Sequence, residues 1–325
     1  MLPLVSRAPR VHLVLASFAI GLLLSACAGG SAPNAPASPA PAAAQIARVL
    51  AGDHTPSVLP LTGDPNGLWW DDPSHTLYVA DDDGNRILSW NQDSGTAVVR
   101  QLPNINPKGD GMGQLLRMAN GTLLVTRFGQ GEAGGVAFVP KNAEPSLIPS
   151  LDAKRRRIGL TLTDDGRVFD TWFTKSESGE RIGAVAELGL NGTETDRITG
   201  LKKPVGVLAV GDMLFVSDQD LGEVLRAPLE NLASFSVLAH VSEPDLLAAG
   251  PAGTVLTGGA DGVLVKIDVA GKTTNVASGF HRVRGVAYDA ANQRAFVADH
   301  ASKKGASVVR VVPIRDDAAS NSMLP

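Results

Sequence analysis

PNGLWWDDPSHTLYVAD at residues 65 to 81, PVGVLAVGDMLFVSD at 204 to 218 and VRGVAYDAANQRAFVAD at 283 to 299 are three copies of one pattern. Each passes through a turn residue and a glycine, a short apolar strand, a polar turn, and a second apolar strand ending in a small residue and Asp. Short apolar stretches bounded by Gly, Asn, Asp and Pro are the signature of hairpins. Looser copies are GMGQLLRMANGTLLVTR from Gly111, RIGLTLTDDGRVFDTW from Arg157 and PDLLAAGPAGTVLTGG from Pro244. In register, Gly67, Gly113, Gly159, Gly206, Leu246 and Gly285 are separated by 46, 46, 47, 40 and 39 residues. That period holds four short antiparallel strands with their turns, the size of one propeller blade. The repeats predict an all-β chain, a six-bladed β-propeller of four-stranded antiparallel blades.

A third strand follows each hairpin, for example Arg86 to Trp90 and Gly183 to Leu188, and a fourth follows at Pro145 to Ser150 and Phe235 to His240. The last unit runs out of chain after its third strand, at Ser307 to Val312. PSVLPL at 56 to 61 precedes the first unit and matches PSLIPS at 145 to 150, so this N-terminal strand is expected to complete the last blade. Such closure removes the open sheet edges that would pair with other chains. An eight-stranded barrel or a two-sheet sandwich leaves the near-equal repeats without a reason.

These motifs resemble the six-bladed propellers of the gluconolactonase, regucalcin and strictosidine-synthase group, and VADDDGNRILSW at 79 to 90 is similar to an NHL repeat. The resemblance covers about residues 56 to 314. It speaks to fold more than to activity, because enzymes and binding modules share these strand motifs.

Ahead of the repeats, residues 1–26 have the parts of a secretory signal, with Arg7 and Arg10 before an apolar run from Val11 to Leu24. Leu24-Ser25-Ala26-Cys27 looks like the lipobox at which bacterial lipoproteins are acylated and cleaved. A thioether to diacylglycerol needs sulfur, and Cys27 is the one cysteine of the chain, which excludes an intrachain disulfide. Lipid on Cys27, palmitate among its acyl groups, is then the expected membrane partner. Two or more chains anchor stably where one binds reversibly. Ala28 is not the aspartate that the resemblance associates with inner-membrane retention, which points to the outer membrane with the domain facing the periplasm. Residues 27–44, rich in Ala and Pro, read as a tether, 45–314 as the propeller and 315–325 as a flexible tail.

The net charge is −4 for the whole chain, and more negative once Arg7 and Arg10 leave with the signal. That argues against a nucleic-acid partner. No G-x-S-x-G elbow, H-E-x-x-H helix or phosphate loop is present.

Two sets of residues are expected to converge at one end of the central tunnel. One precedes the repeated glycine: Asn66, Met112, Ile158, Val205, Asp245 and Arg284. The other ends the second strand: Asp81, Arg127, Trp172, Asp218, Gly259 and Asp299. Arg127, Arg157 and Arg284, with Asp218 and Asp299, are candidate ligand-binding residues. An aspartate recurring at one offset in three blades also reads as a structural turn cap. The Lys154-Arg155-Arg156-Arg157 run reads as a solvated loop whose last residue lies beside the mouth. His300, directly after Asp299, is the candidate general base, since imidazole titrates near neutrality.

The gluconolactonase resemblance implies one divalent cation, calcium or zinc, held by Glu, Asn and Asp at the mouth. Asn66 matches one ligand and Asp245 another imperfectly; the Glu has no counterpart. Two functions stand open: a binding propeller for a small polar molecule or a periplasmic protein, and a cation-dependent lactonase or esterase.

Overall fold

A computed structural model of the chain describes residues 56–105, 111–303 and 305–314. Cys27, the signal, the tether and the tail at 315–325 lie outside the described residues. No helix among the described residues is long and apolar enough to cross a membrane.

The described residues form a six-bladed propeller of four-stranded antiparallel sheets. Strand β1 (Ser57–Val58) comes first in sequence and last in the ring. Blade 1 is β2 (Pro65–Asp71), β3 (Thr76–Asp81), β4 (Arg86–Asn91) and β5 (Gly95–Gln101), and blade 2 is β6 (Met112–Arg117), β7 (Leu123–Arg127), β8 (Gly135–Val139) and β9 (Ser146–Leu147). Blade 3 is β10 (Arg156–Leu162), β11 (Val168–Lys175), β12 (Arg181–Leu188) and β13 (Glu194–Leu201). Blade 4 is β14 (Pro204–Val210), β15 (Met213–Asp218), β16 (Glu223–Pro228) and β17 (Ser236–His240). Blade 5 is β18 (Ala248–Ala249), β19 (Val255–Gly258), β20 (Val263–Ile267) and β21 (Thr273–Ser278). Blade 6 is β22 (Val283–Asp289), β23 (Arg294–Asp299) and β24 (Val308–Pro313), completed by β1.

Closure follows the expected route. Ser57 pairs with Val311 and Val58 with Arg310, and the Leu59 N–H donates to the Val309 carbonyl at 2.9 Å. Leu59 is 2% exposed and packs with Phe296, Val309 and Val311 of blade 6. The same cluster takes in Leu68, Trp70, Leu77 and Trp90 of blade 1, so the core here lies between blades. Trp70 stacks on Phe296 with centroids 5.2 Å apart.

The repeated glycine has a steric reason. It sits where the register of the innermost strand slips, between Pro65 and Leu68, Met112 and Leu115, Arg157 and Leu160, Pro204 and Gly206, and Val283 and Val286. Such a bulge turns the strand against its neighbour. A Cβ on Gly67 would lie 2.2 Å from the Gly113 carbonyl oxygen, one on Gly113 2.3 Å from that of Ile158, and one on Gly285 2.0 Å from that of Asn66. Blade 5, with Leu246 at this position, keeps the contact as a Leu246 N–H bond to the Arg284 carbonyl at 3.1 Å.

Hydroxyls latch three of the joints. Thr126 donates to the Ile158 carbonyl at 2.6 Å, Thr171 to that of Val205 at 3.2 Å and Ser217 to that of Asp245 at 2.6 Å. Between blades 1 and 2 the Asn66 amide does this, donating to the Met112 carbonyl at 2.6 Å.

Gly285→Ala is expected to cost about 1–3 kcal/mol through overpacking at the joint, and Leu59→Ala about 2–5 kcal/mol through loss of a buried side chain. Urea denaturation of each variant checks both; an unchanged midpoint for Leu59→Ala would show that the N-terminal segment does not close the ring.

Candidate functional site at the tunnel mouth

A cavity of about 940 Å3 opens at one end of the tunnel. Asn66, Met112, Ile158, Val205, Asp245 and Arg284 all line it, as the position before the repeated glycine predicts. The bulge that brings each inner strand against the next aims this side chain into the ring. The order around the ring divides it: adjacent blades 2, 3 and 4 supply Met112, Ile158 and Val205, whereas adjacent blades 5, 6 and 1 supply Asp245, Arg284 and Asn66.

The second set lies elsewhere. Asp81, Asp218 and Asp299 are at most 1% exposed and do not line the cavity. Asp218 accepts from the N–H groups of Lys202, Lys203, Asp220 and Leu221, and Asp299 from those of His281 and Arg282 and from Arg310 Nε. Asp81 does the same for Asp64 and Gly84, with Arg86. These carboxylates fasten the loop that enters each blade. Burial works against the Asp299 charge, but Arg310 and the His281 N–H hold its carboxyl below the usual range.

Alternation explains the displacement. Successive strand residues point to opposite sides, so in five of the six blades the residue after the strand-ending position faces the mouth: Asp82, Phe128, Gln219, Ala260 and His300 line it, and Phe173 of blade 3 does not. A second tier was also missed, two residues before the ring, where Lys203 and Arg282 line the cavity and Asp64 touches its residues. The same period of two would have found it.

Arg127 and Arg157 are fully buried and do not line the cavity. Arg127 donates to Asn85 Oδ1 at 2.7 Å. Arg157 is no solvated loop residue: it meets Asp170 at 2.5 Å and Glu194 at 2.8 Å. Burial disfavours its charge, yet these two carboxylates outweigh that and raise its pKa. Beside it, Arg155 lies 3.7 Å over the Trp172 ring and bonds Glu194 and Asp196.

On the polar half of the mouth, His300 Nδ1 lies 2.9 Å from Asp64 Oδ1. Arg284 stands 3.7 Å from the other Asp64 oxygen and 3.6 Å from Asp82 Oδ2. Burial pushes the Asp82 carboxyl up to about 7, helped by Asp64 and opposed by the Met112 N–H, Arg284 and Asn66. Further round, Gln219 accepts from Lys203 Nζ and donates to Asp245 at 3.3 Å, and Arg282 approaches the same carboxylate at 3.8 Å. Burial raises the Asp245 pKa against Arg282, Arg284 and Lys203.

The donors do not fit a divalent cation. Hard cations take six or more oxygens, but no three of His, Cys, Asp and Glu gather at one point among the described residues. Asn66 and Asp245 share the cavity, yet the Asn66 amide nitrogen faces the Met112 carbonyl, and arginines already flank Asp64, Asp82 and Asp245.

The turn role of Asp299 predicts that Asp299→Asn lowers the urea midpoint at pH 7 by about 1–3 kcal/mol equivalent. Because the folded-state pKa is depressed, this stability is present above the unfolded carboxylate value and lost as pH falls through the folded one. Wild type and variant should therefore converge in acid; a gap that persists there would contradict this role.

The chain matches no protein-family model and no curated protein. Solved structures match it throughout the propeller. A gluconolactonase from Xanthomonas campestris is 17% identical with a TM-score of 0.62, covering 79% of this chain and 88% of that one. A regucalcin from Agrobacterium tumefaciens, described as a calcium-binding protein, is 13% identical with a TM-score of 0.61, covering 81% and 92%. Virginiamycin B lyase from Staphylococcus aureus, solved with quinupristin as a catalytically inactive histidine-to-alanine variant, is 14% identical with a TM-score of 0.52, covering 80% and 99%. At these identities the likeness is one of fold, and the chain shares the propeller architecture of gluconolactonase and regucalcin.

Proposed function

We propose that this chain is a lipoprotein, held at the outer membrane by lipid on Cys27, whose periplasmic propeller binds a small molecule with an anionic head and an apolar body. The observation that carries the ligand reading is the divided ring: Met112, Ile158 and Val205 on one side, Asp245, Arg284 and Asn66 on the other, around a cavity of about 940 Å3. Pockets of this size suit small molecules, with apolar walls for area and a few polar groups for orientation. Phe128 extends the apolar wall, and Lys203, Arg282 and Lys303 add positive charge to the rim. A guanidinium can take a carboxylate by two parallel hydrogen bonds.

A second reading is a cation-dependent lactonase or esterase, supported by the fold shared with gluconolactonase and the calcium-binding regucalcin; it requires Asn66 and Asp245 to gather further oxygens that the described residues do not present. Calcium and zinc are the cations to test.

Calorimetric titration of the purified protein with octanoate and gluconate separates a divided site from a uniformly polar one. Octanoate should bind more tightly, and Arg284→Met should weaken it about tenfold or more, the scale of a lost charge-assisted bond. Equal or stronger gluconate binding would contradict the divided site. Saturable calcium or zinc binding, lost in Asn66→Ala and Asp245→Ala, would favour the second reading. Cys27→Ser should abolish lipid labelling and leave the protein unprocessed or released; unchanged labelling would refute the anchor.

A further inference from the structure

Resting on the reading of the mouth as a small-molecule site, we propose that Asp64, His300 and Arg284 form a metal-independent hydrolytic centre for small carboxylic esters with an apolar portion. The two oxygens of Asp64 are divided between the other two members. Oδ1 lies 2.9 Å from His300 Nδ1, and Oδ2 lies 3.7 Å from Arg284. One carboxylate thereby places an imidazole and a guanidinium side by side on the cavity wall.

The histidine is fixed by more than this bond. Its backbone N–H donates to the Arg282 carbonyl at 2.8 Å, and Ser307 Oγ lies 3.4 Å from the same Nδ1. With Nδ1 held by an acceptor carboxylate, the proton of the neutral ring resides on Nδ1, and Nε2 presents a lone pair. No bond from Nε2 to a protein group is formed among the described residues, and His300 lines the cavity at 22% side-chain exposure. A base oriented by a carboxylate at its far nitrogen is the arrangement by which imidazole activates a nucleophile on unrelated folds. Ser302 lines the cavity but no hydrogen bond joins it to the imidazole among the described residues, so water is assigned as the nucleophile.

Arg284 supplies what a metal would otherwise supply at an ester carbonyl, a fixed positive charge where the oxyanion develops. It lines the same cavity and stands between Asp64 and Asp82. The step balances with water as the sole co-reactant. Water gives a proton to His300 Nε2 while its oxygen bonds to the carbonyl carbon, and the carbonyl π pair moves onto oxygen beside Arg284. Collapse restores the carbonyl and breaks the bond to the alkoxy oxygen, which takes the proton back from the imidazolium. A carboxylic acid and an alcohol leave. The apolar half of the ring receives the acyl or alkyl chain.

His300 and Arg284 are the catalytic residues of this proposal, and Asp64 is a positioning residue. The test is hydrolysis of 4-nitrophenyl acetate, butyrate and octanoate by the full-length protein, with and without EDTA, each variant being checked for an unchanged thermal transition. Activity should survive EDTA and fall about 10²–10⁴-fold in kcat/KM in His300→Ala. Added imidazole should partly restore it in a saturable way above the rate that imidazole gives without protein, which no structural role of His300 would allow. His300→Gln should be equally inactive. Asp64→Asn should lower kcat with little change in KM, and Arg284→Met should lower kcat by about 10²-fold or more. Activity that EDTA abolishes, that survives both His300 variants, or that is absent across the ester series overturns the proposal. Octanoate binding without turnover removes this centre and leaves the binding reading; loss of both removes both.

Discussion

Everything at the tunnel mouth depends on how closely each inner strand approaches the next. At Gly67, Gly113 and Gly285 there is no room for a Cβ against the neighbouring carbonyl oxygen. That contact fixes which residue precedes the glycine in the ring, and so which side chain enters the cavity. The carbonyl that meets the neighbouring blade and the side chain that meets the ligand belong to one residue at Ile158, Val205, Asp245 and Asn66. Structure and recognition thus share a backbone position. Its side chain can differ from blade to blade because the joint is made by its main chain, with Asn66 adding its amide as a latch to Met112.

The ring was legible because a steric requirement leaves a glycine in the sequence, and glycine marks close backbone approach. Closure by the N-terminal strand was legible from the likeness of 56–61 to 145–150 and from the blade left one strand short. The strand-ending aspartates were legible as recurring residues, and of their two readings the turn cap holds while the ligand reading falls one place out of register. Asp218 and Asp299 fasten entering loops, and the mouth belongs to Gln219 and His300. A strand reverses its facing at every residue, so an offset of one exchanges a turn cap for a site residue.

Arg157 was lost to sequence reading for a different reason. A run of four basic residues is usually solvated, and nothing local marks Arg157 as buried. Its partners arrive from strands distant along the chain: Asp170 from β11 and Glu194 from β13. Asp196, beside Arg155 and Trp172, also comes from β13. Breaking such a buried pair is costly because it strands a charge. Arg155 and Arg157 are therefore one side of a cross-strand network, and their charge is spent inside blade 3, whereas Lys154 meets Glu132 at 3.6 Å and Arg156 lies over the Phe128 ring.

The fixed cations give the mouth a character that a metal would not. Arg282 and Arg284 stand two residues apart at the start of β22, so the strand period sends both toward the cavity, one beside Asp245 and the other beside Asp64 and Asp82. Guanidinium groups do not lose their protons in proteins, so this charge is permanent where a bound calcium ion exchanges with the medium. With burial holding Asp82 up to about 7, that carboxyl is partly neutral at the pH where the arginines remain charged. The balance at the polar half then shifts toward positive charge. An anionic or oxyanionic group entering there would complete the pairing that Asp82 leaves open, and the apolar half of the ring decides what must be attached to it.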